Sequence, residues 1–151
     1  MTKEEKLALS FKIAGINTEE FAIVEDEFNE KEPSKLGAAI NFGINEENQI
    51  IGIRTKFQFE QKGKPFLIIA VACDFEIEKK AWNNLFDKES NSILLPEGFA
   101  SHLAMLTVGT TRGVLHEKTN NTPFNRFILP PINLTKLIKE DVTIKLEKEA
   151  K

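Results

Sequence analysis

The sequence predicts an α+β chain in which four strands precede the helices, and three features carry that reading. Apolar residues alternate with polar ones through most of the stretch up to Ile77, the period of a strand with one covered face. From residue 79 onward the period changes to helical spacing. Beyond the longest helical segment stands Pro130-Pro131, whose fixed backbone angles and missing N–H donors require an extended connector there. At 151 residues, 41% apolar and 28% charged, with no internal repeat or low-complexity linker, the chain is expected to form one domain, 1–151, around one core.

Leu7, Leu9, Phe11 and Ile13 share one face of the first strand, Gly15 and Asn17 permit a bend or bulge, and Phe21 and Ile23 resume the pattern. Lys31-Glu-Pro-Ser34 reads as a turn. The second strand carries Ala38, Ile40, Phe42 and Ile44 on one face and ends at the polar turn Asn45-Glu-Glu-Asn48. In the third, Ile51, Ile53, Phe57 and Phe59 oppose Arg54, Lys56, Gln58 and Glu60, so one face is core and the other wet. Gln61-Lys-Gly-Lys64 closes a hairpin into the fourth strand, with Leu67, Ile69, Val71, Cys73, Phe75 and Ile77 on its apolar face. Its opposite face is divided: Phe66, Ile68, Ala70 and Ala72 are apolar, whereas Asp74, Glu76 and Glu78 are charged. The first half of this strand is therefore expected to be covered on both sides, a subunit interface being one candidate cover.

Ala81 to Phe86 is predicted as a helical turn and Asp87 to Ser92 as a polar loop. Pro96 marks a helix start, with Glu97 in the first turn, where the N-terminal dipole favours a carboxylate. Phe99, Leu103, Leu106 and Thr110 recur every three or four residues, giving a helix of about five to six turns that ends near Asn120. Its stretch Val108-Gly-Thr-Thr-Arg-Gly113 presents a small surface. Each glycine weakens a helix by about 1 kcal/mol relative to alanine, so close packing against another backbone, within the chain or between subunits, is expected as compensation. After the prolines, Asn133 is placed to cap a helix starting in Asn133-Leu-Thr-Lys-Leu-Ile-Lys139. Val142, Ile144 and Leu146 fit either a short strand or a continued helix.

The net charge of −3, with Lys and Glu interspersed, leaves no basic stripe for nucleic acid or an anionic membrane. The longest apolar run, Pro65 to Cys73, is too short to span a bilayer, and acids stand near the N-terminus where a signal peptide needs a clean positive region. No membrane insertion and a cytoplasmic location are expected; the single Cys73, without an internal disulfide partner, agrees with a reducing compartment. Twelve Phe, one Trp and no Tyr make an aromatic set almost without polar handles. Most of these rings are expected in the core, and some are candidates to line an apolar groove. No catalytic constellation emerges. His102 and His116 lack Cys, Asp or a second His at metal-ligand spacing, and Cys73 falls on a core face where a thiol is ordinarily inert. Gly109 and Gly113 stand inside a helical pattern, not in a phosphate loop. No metal, cofactor or enzymatic activity is expected. The row Asp74, Glu76 and Glu78 suits a solvated or docking face better than acid–base work.

The segment Thr111-Arg-Gly-Val-Leu-His-Glu-Lys-Thr-Asn-Asn-Thr-Pro-Phe-Asn-Arg-Phe-Ile-Leu-Pro-Pro-Ile-Asn-Leu134 resembles the SecB export chaperones. There an Ala-Arg-Glu on the long helix leads to a Gly-Thr-Phe-Pro turn and a Leu-Ala-Pro-Val-Asn-Phe connector. Arg112, Phe124, Leu129, Pro131 and Asn133 fall on the family's identities without a gap. Independently, Phe11-Lys-Ile-Ala-Gly-Ile-Asn-Thr-Glu-Glu-Phe21 is similar to the family's first strand, a Phe-x-Ile-x-x-Ile-x-Thr-x-Asp-Ile pattern. The two matches stand in the family's order and cover most of residues 9–138.

The resemblance implies a four-stranded antiparallel sheet with a long helix and a second, shorter helical segment packed on one face. It also implies ATP-independent holding of unfolded or preprotein clients and assembly as a homo-oligomer, a dimer or tetramer. On that reading the client groove is lined by Phe99, Leu103, Leu106, Phe124, Phe127 and Leu129, with Trp82 and Phe86 at its rim. Clients would be held by apolar burial and strand-like backbone pairing. Glu20, Asp74 and Glu76 form a candidate acidic docking face, the family's partner there being the SecA translocation motor; Val24 stands where the family has a second acid. The stretch Trp82 to Ile93 is charged and Asn-rich, unlike the family's small-residue approach to the long helix, and the family's C-terminal helix and motor-binding tail have no counterpart. The alternative function is an adaptor on the same fold that binds one dedicated partner, such as an antitoxin-type client.

Overall fold

The computed structural model describes residues 11–146; Leu7, Leu9 and the tail from Glu147 onward lie outside the described residues. Four long strands make the main sheet: β1 (Phe11–Ile23), β2 (Lys35–Asn45), β3 (Ile50–Gln61) and β4 (Lys64–Ile77). Their spatial order is β1-β4-β3-β2, with every neighbour antiparallel. Tight turns join β2 to β3 and β3 to β4, while β1 lies on the far side of β4. The bend expected around Gly15 is realised as two register shifts in β1, between Ile13 and Gly15 and between Thr18 and Glu20.

After the sheet come α1 (Lys79–Leu85), β5 (Phe86–Asp87), β6 (Ser92–Leu95) and the long helix α2 (Glu97–Lys118). A 3₁₀ turn (Pro123–Arg126) leads into the connector, followed by the single helical turn α3 (Leu134–Leu137) and by β7 (Val142–Lys145). β7 pairs with β6 and β6 with β5, so a second, three-stranded sheet arises from what reads in sequence as a polar loop and an ambiguous tail. The Asn133 side chain accepts the Thr135 N–H at 3.1 Å, the cap its position predicts, although the helix it starts is only one turn long. At the other end of the layer, the Asp141 carboxylate accepts the Glu97 N–H at 2.8 Å and satisfies an otherwise free donor in the first turn of α2.

α2 packs on β3 and β4 through Phe99, Ala100, Leu103, Ala104, Thr107, Val108, Thr111 and Leu115. The buried face is therefore turned from the predicted stripe, and Leu106 and Thr110 stand half-buried at its margin. Small residues explain the turn, because Ala and Thr let the helix come close to the sheet. Thr55 of β3 reaches Thr111 across the interface, oxygen to oxygen 2.6 Å, while Thr111 donates to the Thr107 carbonyl at 2.7 Å. Within the chain no close packing meets Gly109 or Gly113: both are exposed, and a Cβ added at either would meet nothing within 4 Å among the described residues, which leaves packing between subunits as the remaining form of that expectation.

On the divided face of β4 the chain itself covers Ala70, whereas Phe66 is turned by a bulge into the aromatic cluster on the helix side. A register shift between Phe59 and Glu60 falls beside Phe66, whose buried ring joins those of Phe28, Phe59, Phe124 and Phe127. Ala70 lies between Glu20 and Lys56 in the register, and their ion pair, 3.1 Å, crosses over it. Ile68 and Ala72 stay half-buried.

Candidate polypeptide-binding surface

Two anchors give the connector its path. Phe124 and Phe127 enter the aromatic cluster at one end of the main sheet, with ring centroids 5.3 and 5.6 Å from Phe28. The Arg126 guanidinium lies 5.2 Å from the ring centres of both Phe28 and Phe127 and pairs with Glu30 at 3.4 Å. From α2, Arg112 donates through Nε to the Leu129 carbonyl at 2.7 Å and through Nη2 to the Pro130 carbonyl at 2.9 Å. Ile128 sits between these anchors, its neighbours held and its own side chain 58% exposed. Such a residue is presented to solvent by a rigid backbone.

Of the predicted groove residues, Phe99, Leu103, Phe124, Leu129 and Trp82 are buried in the chain's own core, whereas Leu106, Phe127 and Phe86 are half-buried around it. The most solvent-facing apolar side chains are different ones. On β1, Ile13 and Ile16 are 48% and 56% exposed although they pair with Phe75 and Cys73, both fully buried. Paired residues point to the same side of a sheet, so these two isoleucines belong to the helix-side face and lack cover among the described residues. The cause is width: a helix is roughly 10 Å across and strands lie about 4.8 Å apart, so one helix shields about two strands. α2 takes β3 and β4, and the outer strand β1 keeps an open apolar strip between half-buried Phe11 and Phe21. Alternation alone assigns Ile13 to the core; no signal in it reports how far the cover extends.

Glu20, Asp74 and Glu76 do share the polar face of the main sheet, but in different electrostatic settings. Glu20 pairs with Lys56 and, at 3.7 Å, with Arg54, which also binds Glu19; Glu76 pairs with Lys12 at 2.9 Å. Asp74 has no ion pair among the described residues and stands in register between Gly15 and Gly52. A Cβ on Gly52 would meet its Oδ1 at 3.3 Å and one on Gly15 its Oδ2 at 3.4 Å, so the glycines leave room for this carboxylate. His102 meets Phe11 edge-on at 5.9 Å, and the exposed His116 accepts the Asn125 side-chain amide on its backbone carbonyl at 2.9 Å. Among the described residues no group of three or more His, Cys, Asp or Glu is placed to hold a metal ion, and no helix is long and apolar enough to cross a membrane.

A four-stranded antiparallel sheet with one long helix and one short helical turn makes a mixed α+β arrangement. The fold is similar to that of a solved structure, the Mycobacterium tuberculosis SecB-like chaperone Rv1957 in complex with a ChAD peptide from the Rv1956 HigA1 antitoxin. It matches with a TM-score of 0.53 and 9% sequence identity, over 85% of this chain and 95% of that one. No protein-family model and no curated protein matches the sequence. At that identity the similarity speaks for the fold alone.

Proposed function

We propose that the chain is an ATP-independent holding chaperone that binds apolar segments of unfolded or preprotein polypeptides. The observation that carries this reading is the open apolar strip of Ile13 and Ile16 on the helix side of the sheet, a surface that water disfavours and that a client's apolar side chains would cover. Ile128, held out by the connector, and the half-exposed Leu106, Phe127 and Phe86 extend the contact surface; the buried Phe99, Leu103, Phe124, Leu129 and Trp82 support it from behind. The protein acts without cofactor or catalysis, in the cytoplasm, as a homo-oligomer, with Asp74 and its neighbours Glu20 and Glu76 as the face for a docking partner such as SecA.

The second reading, an adaptor for one dedicated partner, draws support from the antitoxin peptide bound to the structurally similar mycobacterial protein. Light scattering of a reduced, unfolded client separates function from fold: the protein at several-fold molar excess should suppress aggregation, and Ile16→Asp should weaken suppression while the thermal melt stays put. No suppression by the unmodified chain would remove the general holding activity. Co-purification then divides the readings, since one stoichiometric partner favours the adaptor and a heterogeneous set favours the holding chaperone.

A further inference from the structure

Gln61 closes β3 and reads in sequence as part of a polar turn, yet it follows Phe57 and Phe59 in the buried alternation of the strand and is 5% exposed. A buried amide is costly unless its polar atoms are bonded, and here they are. Oε1 accepts the Asn29 N–H at 2.8 Å, and Nε2 donates to the Asn29 carbonyl at 3.0 Å, the Glu32 carbonyl at 3.2 Å and the Ser34 hydroxyl at 3.2 Å. Every one of these partners lies in the loop 24–34 between β1 and β2. Two ion pairs, Glu27 with Lys64 at 4.0 Å and Glu32 with Lys62 at 3.2 Å, also reach this loop, but both lysines are exposed and such pairs contribute little. Gln61 thus holds the loop to the sheet from its buried side.

The loop in turn holds one end of the connector. Phe28 and Glu30 flank Asn29, whose N–H and C=O are both bound by the same amide, so the peptide units on either side of Asn29 are fixed. The Phe28 ring packs against Phe66, Phe124 and Phe127, with centroids 4.9, 5.3 and 5.6 Å away, and the Arg126 guanidinium lies over it while pairing with Glu30. Ile128 follows directly, and Arg112 bonds the chain just beyond it. Both sides of Ile128 are therefore held, one by α2 and the other by a loop that Gln61 sets in place. We propose that Gln61 is a positioning residue for client binding: through Asn29 it fixes the Phe28 and Glu30 contacts that hold Phe127, and with it the exposed Ile128. The inference rests on the chaperone reading and adds to it a buried residue that touches no client and yet sets how tightly one is held.

The test uses the full chain and, as probe, fluorescein-labelled lactalbumin that is reduced and carboxymethylated, an unfolded chain that stays in solution. Gln61→Met keeps the length of the side chain and removes its polar atoms. Gln61→Asn keeps the amide but withdraws it by one carbon, and takes its place in the same assays if Gln61→Met folds too poorly. Anisotropy should show client affinity weakened by about fivefold in Gln61→Met, since the loosened Ile128 must be ordered anew on binding. In an Ile128→Ser background the same change should weaken it by less than about twofold, while the thermal melt falls equally in both backgrounds. Amide exchange should quicken at Asn29, which loses its acceptor, and at Phe127, whose N–H bonds the Phe124 carbonyl at 3.0 Å. A lowered melt with affinity unchanged, or the full loss of affinity kept in the Ile128→Ser background, would overturn the inference and leave Gln61 a structural residue only. No binding of the probe by the parent chain would remove the holding activity and with it the client-binding role. Quickened exchange at Phe127 in Gln61→Met would then still uphold the link from Gln61 to the connector, and unchanged exchange there would overturn that too.

Discussion

Replacing Arg112 by alanine should release the connector from α2 without unfolding the main sheet. The side chain makes two bonds, to the Leu129 carbonyl at 2.7 Å and to the Pro130 carbonyl at 2.9 Å. Hydrogen bonds from a charged donor contribute roughly 1.5–3 kcal/mol, at the upper end when loss leaves a partly buried carbonyl unpaired. Leu129 is 1% exposed, so its carbonyl lies near such a position, whereas the Pro130 bond is exposed and adds little. Together they stabilise the attached connector by about 2–3 kcal/mol. For a domain of this size that corresponds to a fall in melting temperature of roughly 4–12 °C. Arg112→Lys keeps the charge but not the planar fork that reaches two adjacent carbonyls, and should recover less than half of the loss. Amide hydrogen exchange provides the local readout at Phe127, Ile128, Leu129 and Ile132, since Pro130 and Pro131 carry no N–H. Exchange should quicken there before it does in β3 and β4, and client suppression should weaken as Ile128 loses its fixed position. A melting temperature within about 1 °C of the parent, together with unchanged connector exchange, would refute the clamp.

Thr55→Val should cost about 1 kcal/mol in urea unfolding, because Thr111 keeps its bond to the Thr107 carbonyl at 2.7 Å, and Thr55→Val with Thr111→Val should cost less than the sum of the single changes. Strict additivity would mean that the 2.6 Å contact between the two hydroxyls contributes nothing. Gly109→Ala and Gly113→Ala should each stabilise the protein by about 0.5–1 kcal/mol, since both sit mid-helix with nothing within 4 Å of the added carbon. If either substitution destabilises instead and lowers the solution mass, the small face of α2 is packed against a second copy.

The strands were legible because alternation is a local property. In β3 the residues Ile51, Ile53 and Phe57 are fully buried and their neighbours half-buried, as the pattern requires. The helix start at Pro96, the Asn133 cap and the connector were likewise readable from residues that act on their own backbone. The candidate surface was only partly so. Phe124 and Leu129 look in sequence like any apolar residues of a groove, yet both are buried, while Ile13 looks like core and is open, and Ile16 reaches the same side only through the register shift at Gly15. Leu106 belongs to the apolar stripe by spacing, but the small residues Ala100, Ala104 and Thr107 decide which side of α2 meets the sheet.

The sequence by itself determined the order of the four long strands and the long helix after them, the two faces of the main sheet and the shape of the connector, because each depends on contacts between near neighbours. Tertiary structure alone decided the rest. Whether 142–146 is strand or helix depended on β6 being free to pair with it, and what covers Ala70 depended on Glu20 and Lys56 meeting across three strands. Which apolar side chains face water depended on the width of one helix laid over four strands, a quantity that no periodicity contains.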